Sequence, residues 1–172
     1  MTWLGAVQAQ DYLGALWAVG LRLPNGVETD IEQALANRKI IRTWPMRGTL
    51  HFVPSVDATW MLELMTPRSI AKNARRLKKE FNLDEKIFAR CRRILIKALQ
   101  GGNRLSRNAM YETLEAAHIN AAGQRGLHIL WRLAQEGLIC FGPREGRQQT
   151  LFCSTNGYPK GGRSPATRHW PN

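Results

Sequence analysis

The chain has 172 residues, 44% of them hydrophobic, with 25 Lys or Arg against 13 Asp or Glu and a net charge of +12. That length accommodates one ordinary domain or two small ones, and no apolar run is long enough to span a bilayer. Met1-Thr2-Trp3-Leu4 has neither the basic start nor the cleavage pattern of a signal peptide, so a cytoplasmic location is the default.

Cys91, Cys140 and Cys153 lack zinc or disulfide spacing, so no metal site is expected and all three read as small buried or semi-exposed residues. The charge is concentrated: residues 38–107 hold 17 Lys or Arg against five Asp or Glu, an excess equal to that of the whole chain. Such a block is the footprint of a polyanion binder, because neutralised phosphates release counterions. A solvated helix face, an anionic membrane or a ribosomal contact would account for it otherwise.

In chain order, Val7 to Trp17 sets Gln8 and Gln10 one residue apart before an apolar run. In an extended or turning segment their amides project from one side. They could hold a water or read a base edge without charge, or cap the helix that follows. That helix is predicted over Asp11 to Leu21, ending before the turn Pro24-Asn25-Gly26. Thr29 caps a short helix over Asp30 to Asn37. Ile40 to Trp44 and Thr49 to Val53 read as two strands around the turn Pro45-Met46-Arg47-Gly48.

Ser55 starts a helix over Val56 to Met65, and Thr66-Pro67 starts another to about Phe81, with Pro67 in the tolerated first position. A further helix, Asp84 to Gln100, buries Ile87, Phe88, Cys91, Ile94, Leu95 and Ala98, and Gly101-Gly102 ends it. The first layout then recurs. Helices over Arg107 to Ala117 and Arg125 to Gln135 flank the loop Asn120 to Gln124. Leu138 to Phe141, the turn Gly142 to Gly146, and Arg147 to Phe152 form a second hairpin.

The expected fold class is mainly α with small β-hairpins, arranged as tandem winged-helix units. Residues 1–54 form a partial first unit carrying Gln-x-Gln, 55–83 are basic connecting helices, 84–153 form a second unit, and 154–172 are a disordered or aberrant tail without apolar periodicity. In such modules the later helix enters a groove while the wing contacts backbone.

Candidate DNA contacts follow from that layout. The first hairpin carries Arg42, Trp44, Arg47, Thr49 and His51. Its two Arg suit phosphate or minor-groove contact. Trp44 is either a wedge or core, and His51 faces away from Leu50 and Phe52, toward sugar-phosphate or a structural hydrogen bond. Arg68, Lys72 and Arg76, spaced by four, share one helix face. In the second unit Gln124, Arg125 and His128 open the helix facing DNA, Arg144 and Arg147 lie on its wing, and Arg132 is a solvated partner for nearby acids.

Several motifs occur in one order: Ala6-Val7-Gln8-Ala9-Gln10-Asp11-Tyr12, Ala15-Leu16-Trp17-Ala18, Arg42 to Phe52, Gly123-Gln124-Arg125-Gly126 and Gly137 to Pro143. From about residue 3 to about 152 the chain resembles the AlkZ-like bacterial DNA glycosylases. The resemblance implies tandem winged helices around a channel for double-stranded DNA, and a monomer. It implies excision of N7-alkylated purines and unhooking of interstrand crosslinks, with no metal or organic cofactor. It also makes Gln8 and Gln10 the catalytic pair of a Gln-x-Gln motif.

Relative to that family the chain reads as truncated at both ends, lacking an upstream helical segment and a third unit. Cys153 to Tyr158 stands where relatives keep an apolar strand. Two rival expectations remain. A non-catalytic winged-helix DNA-binding regulator has no need of Gln-x-Gln, and an inactive gene fragment would expose apolar surface.

Overall fold

The computed structural model describes residues 4–146 and 148–154. Among them, in order, run β1 (Val7–Gln8), α1 (Tyr12–Gly20), α2 (Glu28–Ala36), β2 (Ile40–Met46), β3 (Thr49–Pro54) and α3 (Ser55–Phe81). They are followed by α4 (Glu85–Ala98), a single 3-10 turn, β4 (Arg104–Ser106), α5 (Arg107–Ala116), α6 (Gln124–Gln135), β5 (Ile139–Glu145) and β6 (Gln148–Cys153). Helices predominate, around one six-stranded antiparallel sheet of order β1-β3-β2-β5-β6-β4.

That order is palindromic. A strand, two helices and a hairpin occur twice, and each short leading strand, β1 or β4, pairs with the second arm of its own hairpin. The two halves meet where β2 pairs antiparallel with β5 at Arg42↔Phe141, the third residue of each strand. An approximate two-fold axis therefore runs through that pair. The hairpins match in detail as well. Register shifts fall between Thr43 and Met46 and between Phe141 and Arg144, bracketing Pro45 and Pro143, where proline costs no regular ladder bond. The first turn is narrower than the sequence suggested: only Arg47 and Gly48 lie outside the strands, at φ 54 and 68. Left-handed φ at both positions matches the strand twist.

The predicted break at Thr66-Pro67 does not occur, and α3 runs unbroken for 27 residues. Pro67 removes one hydrogen bond, to the carbonyl of Glu63, but on the exposed side of the helix where water can replace it. On the buried side the Thr66 hydroxyl lies 2.8 Å from the Leu62 carbonyl and 2.9 Å from that of Gln135, tying α3 to the end of α6. Thr29 is not a cap but lies within α2, whose start is fixed by the Asp30 carboxylate accepting from the Val27 amide at 3.0 Å.

Three apolar clusters hold the elements. The largest joins α4, α5 and α6 to the sheet through Phe88, Leu95, Met110, Leu114 and Leu133. A smaller one lies between α1, α2 and the sheet, around Leu16, Ile31, Leu35 and Phe52. The third seats the start of α3 on the opposite sheet face through Ile41, Val53, Ala58 and Met61. The α4 helix thickens the second half only, and α1 turns Leu13, Trp17 and Leu21 outward at 60%, 72% and 69% exposure. Gly126 lets α6 seat closely: a Cβ there would stand 2.3 Å from the Ala121 carbonyl oxygen. Cys91, Cys140 and Cys153 are buried thiols outside any disulfide, and burial raises the Cys91 thiol to about 11. Among the described residues no helix is long and apolar enough to cross a membrane, and no cluster of side chains suits a metal ion. Residues 155–172, the rest of the expected tail, lie outside the described residues, whereas Ser154 is buried and donates its amide to the Leu138 carbonyl at 3.0 Å.

Candidate nucleic-acid interface

Gln8 ends the edge strand β1, and Gln10 lies just beyond it in the bend that leads to α1. Gln8 pairs with His51 and Val7 with Phe52, and the Ala9 amide donates to the Leu50 carbonyl at 2.7 Å. Alternation therefore buries Ala9 completely and leaves Gln8 and Gln10 exposed on the other side. Neither caps α1. The Oε1 of Gln10 instead accepts the Leu50 amide at 3.1 Å, which fixes which end of its side chain is oxygen. One lone pair and both amide hydrogens of Gln10 are left for a ligand.

Cross-strand neighbours share a sheet face, so Gln8, His51 and Thr43 form a polar row from the surface inward. His51 is 8% exposed, and its Nδ1 donates to the Thr49 carbonyl at 3.0 Å. It is a largely buried neighbour of Gln8, not an open backbone contact. Thr49 itself is half-buried in β3.

Arg42, expected to touch DNA, is buried and holds this segment in place. Its Nε donates to the Ala9 carbonyl at 2.8 Å, its Nη2 to the Gln10 carbonyl at 3.2 Å, and its Nη1 to Oε1 of Gln149. The guanidinium lies over the rings of Tyr12 and Phe141, at 5.4 and 5.2 Å. Burial lowers it to about 10, which leaves it charged at neutral pH.

A groove of about 1210 Å³ opens from Gln10 between the first hairpin, the second half of α3 and the start of α6. Arg47, Arg68, Lys72 and Arg76 line it, with His128, and no carboxylate does. The spacing of four on α3 thus brings Arg68, Lys72 and Arg76 together along this one groove. Arg47 reaches the groove because the turn projects it. Arg76 is partly neutralised by exposed Glu80, 3.3 Å away. His128 packs against Phe81 at 4.4 Å, and its pKa is lowered by burial and then by Arg76. Trp44 is 6% exposed and packed on Phe141, so it is core with one edge at the groove. Gln124 is exposed at the start of α6 but does not line this groove.

Two further residues expected at DNA are engaged within the fold. Arg125 donates to the carbonyls of Phe81, at 2.8 Å, and of Asn120 and Asn82, closing the α3 terminus. Arg144 is held by Glu28 and Glu32 at 2.8 and 2.6 Å, over the Tyr12 ring. Arg147 lies outside the described residues. Arg132 does pair with acids, Glu85 and Glu136, but at 7% exposure it is buried beside Phe88 and not solvated. The sequence reading missed Trp131 and Leu127, which flank the groove beside His128. Their spacing of four was the available signal.

Residues 1–168 match the family model described as DNA glycosylase AlkZ-like. The Streptomyces sahachiroi DNA glycosylase AlkZ has a similar structure, with a TM-score of 0.72 at 22% identity over 90% of this chain and 43% of that one. This chain thus spans less than half the length of that relative. No curated protein matches the sequence.

Proposed function

Since this chain belongs to the AlkZ-like DNA glycosylase family, we propose that it binds double-stranded DNA as a cytoplasmic monomer and hydrolyses the N-glycosyl bond of N7-alkylated purines, including those in interstrand crosslinks. Residues 1–54 and 84–153 act as two winged-helix units joined by the basic segment 55–83. One observation carries the reading: Gln10 stands at the mouth of a groove with four cationic side chains and no carboxylate. Such a groove attracts phosphate, the exposed Gln10 amide borders it, and Gln8 is exposed two residues before.

Glutamine has no useful pKa, so neither amide is a general acid or base. An N7-alkylated purine needs none, because it already carries a positive charge that the C1′–N9 electron pair neutralises as the base departs. The C1′–N9 bond breaks with its electron pair going to the purine, the sugar passes through an oxocarbenium-like state, water adds to C1′, and its proton passes to solvent. Gln8 and Gln10 aim that water and set amide dipoles against the developing cation. Among the described residues the Gln8 side chain makes no hydrogen bond, so its amide is free to hold water, whereas that of Gln10 is fixed through Leu50.

The test is release of N7-methylguanine, with uracil as control. Wild-type protein is expected to free methylguanine and not uracil, which needs leaving-group activation. Gln8→Ala and Gln10→Ala should each slow single-turnover release about 10²-fold, while binding to undamaged duplex is kept. Full-rate release by the double variant would sink the assignment. Binding to methylated duplex with no release by wild type would mark a non-catalytic DNA-binding protein instead.

A further inference from the structure

The cation-lined groove ends at Gln10 and Leu127, and a second cleft of about 500 Å³ begins at the same two residues. Its far wall is the start of α5 and the second hairpin, bringing Arg107, Asn108 and Gln148 opposite Gln10. Like the groove, it has no carboxylate in its lining. A third hollow, behind α3, does contain Asp84 and Glu85 among its cations and so is neutralised internally.

The cleft holds two guanidiniums of different availability. Arg42 is occupied by the Ala9 and Gln10 carbonyls and by Gln149. The Arg107 side chain is exposed and forms no ion pair or hydrogen bond among the described residues. Two positive charges in a cleft whose lining holds no carboxylate favour an anion over a cationic purine. An aromatic seat for a base is also absent: Phe141 is 8% exposed, with Arg42 over one face and Trp44 against it.

We propose that this cleft seats a phosphodiester of the DNA backbone, on the side of the reacting nucleotide away from α3. Arg107 is its charged partner, and Asn108 and Gln148 supply neutral donors. DNA would then be gripped on both sides of Gln10, which fixes the reacting sugar over the amides. The place of the reacting nucleotide rests on the glycosylase reading; the phosphate seat itself does not.

The experiment is a salt titration of binding to undamaged duplex DNA, so no catalysis is involved. Each phosphate contact adds about 0.9 to the slope of log K against log[salt]. Arg107→Ala is expected to flatten the slope by about 0.9, as is Arg68→Ala in the groove, while Lys79→Ala, which lines neither cleft, leaves it unchanged. Arg107→Gln, close in shape, should behave as the alanine does, and thermal melts identify any variant that has lost its fold. If Arg68→Ala flattens the slope and Arg107→Ala does not, the second seat is wrong and the groove stands. If neither does, both fall. Single methylphosphonate linkages then locate the contact: one neutralised linkage should weaken wild type and leave Arg107→Ala unaffected, and equal losses in both proteins at every linkage would overturn the seat.

Discussion

Three hydrogen bonds from the Arg42 guanidinium fix the backbone on which both glutamines stand, two to the motif itself and one to Gln149 of the second hairpin. A lysine ammonium cannot span those three acceptors. Arg42→Lys should therefore slow methylguanine release at saturating DNA while leaving the salt slope of binding intact, and should cost about 2–3 kcal/mol in a denaturant melt through the unpaired buried carbonyls. An equal loss of slope would return Arg42 to the phosphate contacts.

His128 offers a pH readout. Its folded pKa lies below the ordinary 6.5 because burial and Arg76 disfavour the cation. Above that value the imidazole is neutral whether folded or unfolded. As pH falls below it the unfolded chain takes up the proton first, so stability declines until the folded pKa is passed. Wild type should lose melting temperature between pH 7.5 and 5.5 by more than His128→Gln does.

At the level of elements, Gly126 decides how closely α6 seats against the loop before it and the Tyr111 ring of α5, since a Cβ there would meet both, and the backbone oxygen of Ala121 has no rotamer to change. Gly126→Ala is expected to cost about 1–3 kcal/mol in a denaturant melt and to weaken DNA binding by tilting His128 and Leu127. Much of this level was legible in the chain. The hairpins announced themselves through β-branched and aromatic runs around glycine, and the helices through their apolar spacing. What was not legible has physical reasons. The strands β1 and β4 have two and three residues, too few to alternate, and exist only through pairing with a hairpin arm. Proline suggested a break in α3, but the Thr66 hydroxyl and the packing of its buried face override it. Arg125 and Arg144 looked free because their partners lie up to 44 and 116 residues away. The Gln8 and Gln10 pair was legible as a same-side pair, whereas its tether to Leu50 was not.

For the whole molecule the excess of +12 becomes useful because folding sorts it. Some cations are consumed by carbonyls and acids inside the structure, and others are gathered in a groove without carboxylates. With four cations in the groove and Arg107 beyond it, affinity for undamaged duplex should fall about 10²–10³-fold between 50 and 200 mM salt. A fall of less than tenfold would mean that the surface charge is not used on DNA.

The axis through Arg42 and Phe141 bears on how a duplex would be read. Antiparallel strands also carry a two-fold axis, so a frame with that symmetry meets each backbone in the same chemical direction, and its grip is indifferent to which strand is which. The chemistry is not indifferent, because β1 and the bend after it bring Gln8 and Gln10 where the counterpart strand β4 is Arg104-Leu105-Ser106. The protein would therefore work on one strand per encounter and have to turn end for end for the other. On a duplex with one reactive purine in each strand, the two releases should be separate events, with the singly cleaved product accumulating first.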